Sequence, residues 1–571
     1  MHNQLPCSHS YKSENQPVCL ISIAIKEILE VRGIMLKVTQ DSLVLPHSLV
    51  VGLICSSSLE ESDPLLSSVK TVFVRIGQIL NSTPHTITIL AGDTRCRELE
   101  VIHDMIDSSP DIDRYEHVTL YLPSEPAVYV QEVDDPSHRD CIRNYIDSGG
   151  EVRVVAGSDT KGDGLLGRSD EAVIRDCDLL VLISRGRPEE DEKTLDILRF
   201  ARLVGRSLFH INARNASVIE MRNNDRFLET LEHLNTYNRE RLDENTFDKT
   251  IQNYANILTK KVIRSGIPPD VIRPLCHTIM PHFVKAHRLS SKYQYLYKSA
   301  GNMVYALSAL AVLTITLQTL FFPSAIWLIW LEVLEIAVIL FLLVSSRLGE
   351  WHRKWIDYRF LAERTRAAFF LCIICIHCEK PTESPYTNLA HRQNDWMVIA
   401  FEGILRMRPM EYCRLDIPFQ PLKNFLLDAW VDNRLAYYSK SSEKNTMRYN
   451  LYAYVGESIF FITLILAVAH ATGHEFEEAL GIPLLPLILA ALTISLPAVG
   501  AALSAIRVQR EYLRNSERYA HIMRHLSSVR NRIHASKDLK TLCELLEEMN
   551  EVTMQEQQDW RITFKFRDIE A

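Results

Sequence analysis

Two hydrophobic patterns divide this chain. In its amino-terminal part, short apolar runs at residues 49–54, 86–90, 118–122, 152–155, 179–183 and 208–211 are each followed by turn residues. Amphipathic stretches at 65–80, 99–106 and 194–204 lie between several of them. Strands of this length alternating with helices predict βαβ units and a parallel sheet. Residues 48–216 therefore read as a Rossmann-like α/β domain. Residues 1–47 read as a weakly ordered lead-in. Residues 217–292 read as a charged helical linker, broken at Gly266, Pro268 and Pro269.

Beyond residue 293 the apolar runs lengthen. Residues 302–322 carry no charge over about the ~20 residues that cross a bilayer as a helix. Residues 325–345 are interrupted only by Glu332 and Glu335, and 451–471 only by Glu457. Residues 482–506 are apolar and contain Pro483, Pro486 and Pro497, of which Pro486 and Pro497 allow kinks. Soluble helices seldom stay apolar on every face for so long, and lipid obliges each segment to satisfy its own backbone donors. The pattern predicts an all-α membrane region with two transmembrane helical hairpins, in units 293–380 and 437–571 joined by 381–436. A basic, aromatic helix follows each pair, at 347–366 and 507–532. Aligning Lys354 with Glu511 makes the second unit a loose copy of the first. The stretch 367–376 is too short to span and reads as a packed or interfacial helix.

Charge and cysteine content narrow the partners. A net charge of −8 argues against nucleic acid, whose phosphates call for a basic surface. Twelve cysteines without disulfide spacing fit a reducing, cytosolic setting. Cys372, Cys375, His377 and Cys378 have zinc-like types, but at helical spacing the thiols form an apolar face and no second ligand pair stands near. No metal is expected. Lysines and arginines flank the spans while the two intra-pair loops contain none, which places both termini of a multi-pass protein in the cytosol. The sequons at Asn81 and Asn215 then face the cytosol and stay unmodified.

The strand ends carry the candidate chemistry. Ligands of open parallel sheets sit beyond the carboxyl ends of the strands. Those ends run into Ser56 and Ser57, into Gly92, Asp93 and Arg95, into Gly157 and Ser158, and into Ser184, Arg185 and Gly186, with Thr194 opening the next helix. Small residues permit close backbone approach, helix starts offer N–H groups to phosphate, and arginines neutralise it. These residues are the candidate site for a nucleotide-derived small molecule. Glu98 is the candidate catalytic carboxylate, against the reading that it is a surface glutamate favoured by a helix dipole. In the spans, Glu332, Glu335 and Glu457 either line a cation path or join helices as paired or protonated groups.

The run from Ile87 through Gly92 to Glu98, followed by Val101 and His103, resembles the strand, glycine loop and helix start of the SLOG superfamily, which includes DNA-processing protein A and the cytokinin-activating LOG enzymes. Asp176 to Ser184, Thr194 and Ala201 to Gly205 resemble its later strand and helix, so the likeness covers residues 48–213. The LOG glycine loop is replaced here by Pro188-Glu189-Glu190-Asp191-Glu192-Lys193-Thr194, whose acids repel phosphate. The resemblance therefore implies nucleotide binding ahead of turnover. Residues 285–566 resemble the SLATT family, two-transmembrane effectors associated with SLOG domains, on Trp351 to Arg366, Ala429 to Tyr438 and Gln555 to Trp560. Together the two imply a homo-oligomeric, pore-forming membrane effector under nucleotide control in stress or immune signalling. The alternatives are a membrane-anchored enzyme acting on glycosidic bonds and a non-catalytic membrane scaffold.

Overall fold

The computed structural model describes residues 39–56, 63–92, 115–133, 136–155, 167–185, 191–222, 225–374, 395–408, 417–472 and 484–564. The chain divides into two compact units, one comprising Gln40–Arg241 with Pro381–Arg406 and the other Leu242–Lys380 with Met407–Ala571.

The first unit is built on seven strands: β1 (His47–Cys55), β2 (His85–Ala91), β3 (Tyr115–Leu122), β4 (Glu151–Val154), β5 (Leu179–Ser184), β6 (Ser207–Asn212) and β7 (Ser217–Met221). Their order is β4-β3-β2-β1-β5-β6-β7, with β7 antiparallel to β6 and the other neighbours parallel. The six expected strands are all present. The seventh lies past residue 216, so the α/β unit continues through β7 and a further helix into what read as linker.

Among the described residues, the helices of this unit ahead of residue 241 are α1 (Asp63–Ile79), α2 (Pro126–Glu132), α3 (Pro136–Asp147), α4 (Arg168–Asp176), α5 (Glu192–Val204) and α6 (Asp225–Arg239). Alternation sorts each central strand between two cores. Leu49, Val51 and Leu53 meet Val72, Ile76 and Leu231 on one side. Ile54, Leu180 and Leu182 meet Val173, Ile174 and Ile197 on the other. Gly52 is required by a close approach, because a Cβ there would lie 2.9 Å from Cys177 Sγ. Gly205 ends α5 in the left-handed conformation (φ 74°) that glycine adopts without steric cost.

A helix from much later in the chain, α7 (Trp396–Arg406), also belongs here. Its Trp396 ring lies 5.4 Å from that of Tyr237, and Met397, Ala400 and Ile404 are fully buried. Part of the stretch read as a connection between two membrane pairs, Trp396–Arg406, thus belongs to the sheet unit.

The second unit is helical: α8 (Glu244–Arg264), α9 (Arg273–Leu320), α10 (Ile326–Leu348), α11 (Trp351–Ile373), α12 (Phe419–Leu426), α13 (Asp432–Ala471), α14 (Leu485–Arg510), α15 (Tyr512–Ala535) and α16 (Leu539–Phe564). Among the described residues, four helices are long and apolar enough to cross a membrane, and no more than 22% of each apolar window is buried within the chain. Such faces call for lipid or for further protein, and they suggest a membrane protein. The helix carrying the first apolar run starts at Arg273 and has 48 residues. At 1.5 Å per residue it is roughly 70 Å long, more than twice the hydrocarbon thickness. Pro486 falls in the first turn of α14, where a missing N–H is harmless, and leaves Pro497 as that helix's interior proline. The 367–376 stretch is packed, since Ala367 to Leu371 are buried within α11.

Two joints repeat the same construction. Glu350 between α10 and α11 (φ 49°) and Glu511 between α14 and α15 (φ 46°) are both left-handed. Each precedes an aromatic residue, Trp351 or Tyr512, and ion-pairs with the arginine three residues on, Arg353 or Arg514. Eight residues past each glutamate, Tyr358 packs on Tyr293 (5.7 Å between centroids) and Tyr519 on Tyr438 (5.8 Å). The correspondence is therefore Glu350 with Glu511, four residues off the alignment that the sequence invited.

Buried charges tie this unit together. Glu363 accepts from Arg366 at 2.5 Å and from Arg434. Arg359 donates to Tyr437 Oη at 3.0 Å, and Arg518 pairs with Glu556 at 3.0 Å. Burial pushes the Glu556 carboxyl above its ordinary range, with Arg518 and Arg359 opposing. Lys423 donates to the carbonyls of Ser536 (2.9 Å) and His534 (3.2 Å), satisfying acceptors at the end of α15.

Candidate functional site

The strand order reverses between β1 and β5, since the chain runs outward from β1 to β4 on one side and from β5 to β7 on the other. That reversal is the switch point at which an open α/β sheet leaves a crevice at the carboxyl ends of its strands. Ser56 ends β1 there, and its N–H donates to the Ile183 carbonyl at 3.0 Å. Ser184 and Arg185 end β5, Gly92 ends β2, and Thr194 lies in the first turn of α5.

Ser56 and Thr194 are brought together, their hydroxyl oxygens 2.8 Å apart. Thr194 also donates to Asp191 Oδ2 at 2.6 Å. Asp191 caps α5 by accepting from the Lys193 N–H at 3.2 Å. Burial works against its charge, yet the bonds from Thr194, Ser56 and the backbone hold its carboxyl below the ordinary value. The α5 start is thus occupied by the protein's own carboxylate, and a phosphate there has to displace it. A second carboxylate, Asp170 in the first turn of α4, is 3% exposed and lies 3.2 Å from Lys193 Nζ. It fills the space beside Gly92, where any Cβ would collide with its Oδ1.

Ser184 differs from expectation. It is fully buried with its Oγ 2.8 Å from Nε2 of His210, which burial keeps below its ordinary pKa. Thr194 is fully buried too. Both hydroxyls are spent inside the edge, because a polar group at the end of a buried strand must find a protein partner. Ser57, Asp93, Arg95, Glu98, Gly157, Ser158 and Gly186 lie outside the described residues, as do Cys375, His377 and Cys378. Sequence reasoning did not assign Asp170 and Lys193 to the site and took Asp191 only as a repelling charge. The Asp191-x-x-Thr194 spacing is a helix-cap signal that pointed to it.

A cleft of about 580 Å³ crosses one face of the same sheet, from the amino ends of β1, β5 and β6 towards β4. Arg153, Arg175, Arg206 and Arg406 face Glu151, Asp176, Asp178 and Glu402 around it. Tyr121 donates to Asp176 at 2.7 Å and accepts from Arg153 at 3.3 Å. Burial, then the bond to Asp176, pushes the phenol up to about 12, so it remains a donor. Burial raises the Asp178 carboxyl to about 6 although the Val50 N–H bonds it at 3.0 Å. Burial, assisted by Arg406, lowers His47 to about 4. Charges of both signs in equal number suit a dipolar guest better than a polyphosphate.

In the apolar helices the three carboxylates differ. Glu335 is 4% exposed, and its Oε1 accepts from Thr314 of α9 at 3.1 Å. Glu332 is half-buried, whereas Glu457 of α13 is exposed among Tyr454, Phe460 and Phe461.

Comparisons with protein-family models, with curated proteins and with solved structures give no match.

Proposed function

We propose that this chain is an integral membrane effector whose α/β unit senses a nucleotide-derived ligand and whose four apolar helices, arranged as two hairpins, permeabilise or gate the membrane. The observation that carries the reading is Glu457, a carboxylate exposed on an apolar face of α13, six residues into the run 451–471. A lone ionised group facing lipid costs several kcal/mol, and contact with a second copy or with water in a pore removes that cost. A simple anchor has no use for such a residue. The effector is accordingly a homo-oligomer, with both termini cytosolic by the positive-inside rule. The SLOG and SLATT resemblances support the same pairing of sensor and membrane part.

The ligand edge supports a nucleoside derivative of low phosphate charge. Asp170 and Asp191 suit sugar hydroxyls, as acidic residues do in dinucleotide sites, while Lys193 and Arg185 offset a single phosphate. The test is full-length protein in dye-loaded liposomes, titrated with nucleotides and with cyclic or ADP-ribose-type derivatives, with the products analysed from the same tubes. Ligand-dependent leak without consumption is expected. Consumption without leak identifies an anchored enzyme, and neither response rejects a ligand-gated effector.

A further inference from the structure

Ahead of the third apolar run, the helix that carries it is interrupted by a π turn. α12 passes without a break into Leu427–Val431, in π geometry, and on into α13, forming one helix of 53 residues from Phe419 to Ala471. A π turn holds one residue more than the α register and leaves carbonyls short of partners, which is why such turns are costly and concentrate at functional positions. Here Lys261 of α8 supplies the missing donor, with Nζ 2.8 Å from the Asp428 carbonyl and 2.9 Å from its Oδ1. Against this turn lies a cavity of about 130 Å³. Ala429 and Trp430 of the turn form one wall; Phe369 and Phe370 of α11 and Phe283 of α9 form others. The Trp430 ring is stacked on Phe370 with centroids 5.3 Å apart, so the aromatic walls are fixed before any guest arrives. Lys261, Arg366 and Arg434 also line it, and their two carboxylate partners Asp428 and Glu363 leave the lining net positive.

We infer that this cavity binds a small apolar carboxylate, one aromatic ring or a short acyl chain in size, and that occupancy holds the π turn in place. Size sets the first limit, since a dry engineered cavity of about 150 Å³ accommodates benzene. Charge sets the second, since an aromatic cage takes ammonium guests only where no cation already stands at its rim. The guest's ring packs on Ala429 and Trp430, and its carboxylate shares Lys261 and Arg366 with their present partners. Losing the π turn would rotate everything beyond it by about 100° per residue removed, and that includes the apolar run bearing Glu457.

The test is calorimetric titration of full-length protein in nanodiscs with benzoate, with benzylamine as the charge control, combined with hydrogen exchange at residues 427–431. Saturable benzoate binding is expected, with benzylamine at least tenfold weaker and exchange in the π turn slowed at least tenfold. Ile257→Trp fills the cavity from a position that is 43% exposed, so the fold tolerates it, and benzoate binding should fall at least tenfold with Tm unchanged. The site is rejected if benzoate does not saturate, if benzylamine binds equally, or if Ile257→Trp binds like the parent. Binding that leaves exchange at 427–431 unaltered rejects the coupling to the turn.

Discussion

Two sites, one in each unit, manage buried polarity in opposite ways. In the sheet unit, His47 and Asp178 are half-buried at the cleft, and burial drives each towards its neutral form. In the helical unit, the half-buried carboxylate Glu363 is shared between Arg366 and the buried Arg434, and Arg518 holds Glu556. The difference follows from architecture. At the amino ends of β1 and β5, packing removes more water from His47 and Asp178 than their charged neighbours compensate. In the helical unit, Glu363 and Glu556 lie against arginines that offset the water they lose.

The largest expected effect is therefore in the helical unit. Glu363→Ala leaves Arg434 buried without its carboxylate and should cost about 3–5 kcal/mol, read as a fall in detergent-solubilised Tm. Replacing Glu363 and Arg434 together by methionine should recover most of that loss. If the single change costs no more than a surface substitution, the contrast between the units fails. In the sheet, Leu53→Ala should cost about 2–5 kcal/mol whatever the salt concentration, since it removes apolar packing alone. A salt dependence matching that of the parent pairs would contradict this.

Acid titration sharpens the comparison further. His47 is lowered from 6.5 to about 4, so its contribution is present above 6.5 and lost as pH falls towards 4. Asp178 is raised from 3.8 to about 6, so its contribution is present below 3.8 and lost as pH rises through 6. The two slopes oppose one another and nearly cancel in the parent. His47→Gln should make β1 and β5 more stable as pH drops from 6 to 4, and Asp178→Asn less stable, each by no more than roughly 3 kcal/mol. Opening free energies from hydrogen exchange at those strands check the signs, and parallel slopes in the two variants would overturn the assignment. The smallest effect is at the joints. Glu350→Gly and Glu511→Gly relieve a left-handed residue while removing its pair with the arginine three residues on, and each should stabilise by about 0.5–1 kcal/mol. Equal Tm rises support the repeated construction, and opposite signs refute it.

The sheet was legible because its strands are short apolar runs bounded by turns, and period and punctuation act locally. Strand β7 escaped because Ser217–Met221 is half-exposed and lacks a continuous apolar signal. The return of α7 to the sheet was not readable either, since nothing local to Trp396 names Tyr237 as its partner. The apolar helices could be read from length alone, but the matching of Glu350 to Glu511 rests on backbone conformation, which residue likeness conceals. At the carboxyl edge of the sheet the small residues after β1, β2 and β5 were readable as strand ends. Burial of Ser184 and Thr194, and the carboxylates that already occupy the helix starts, depend on contacts across the sheet.

The most direct test of the central claim compares ligand-dependent dye leak from liposomes carrying the parent, Glu457→Leu and Glu335→Gln. The account predicts at least a tenfold loss of leak in Glu457→Leu with its Tm preserved, and leak close to parental in Glu335→Gln, whose amide keeps the bond to Thr314. Full leak from Glu457→Leu would contradict it.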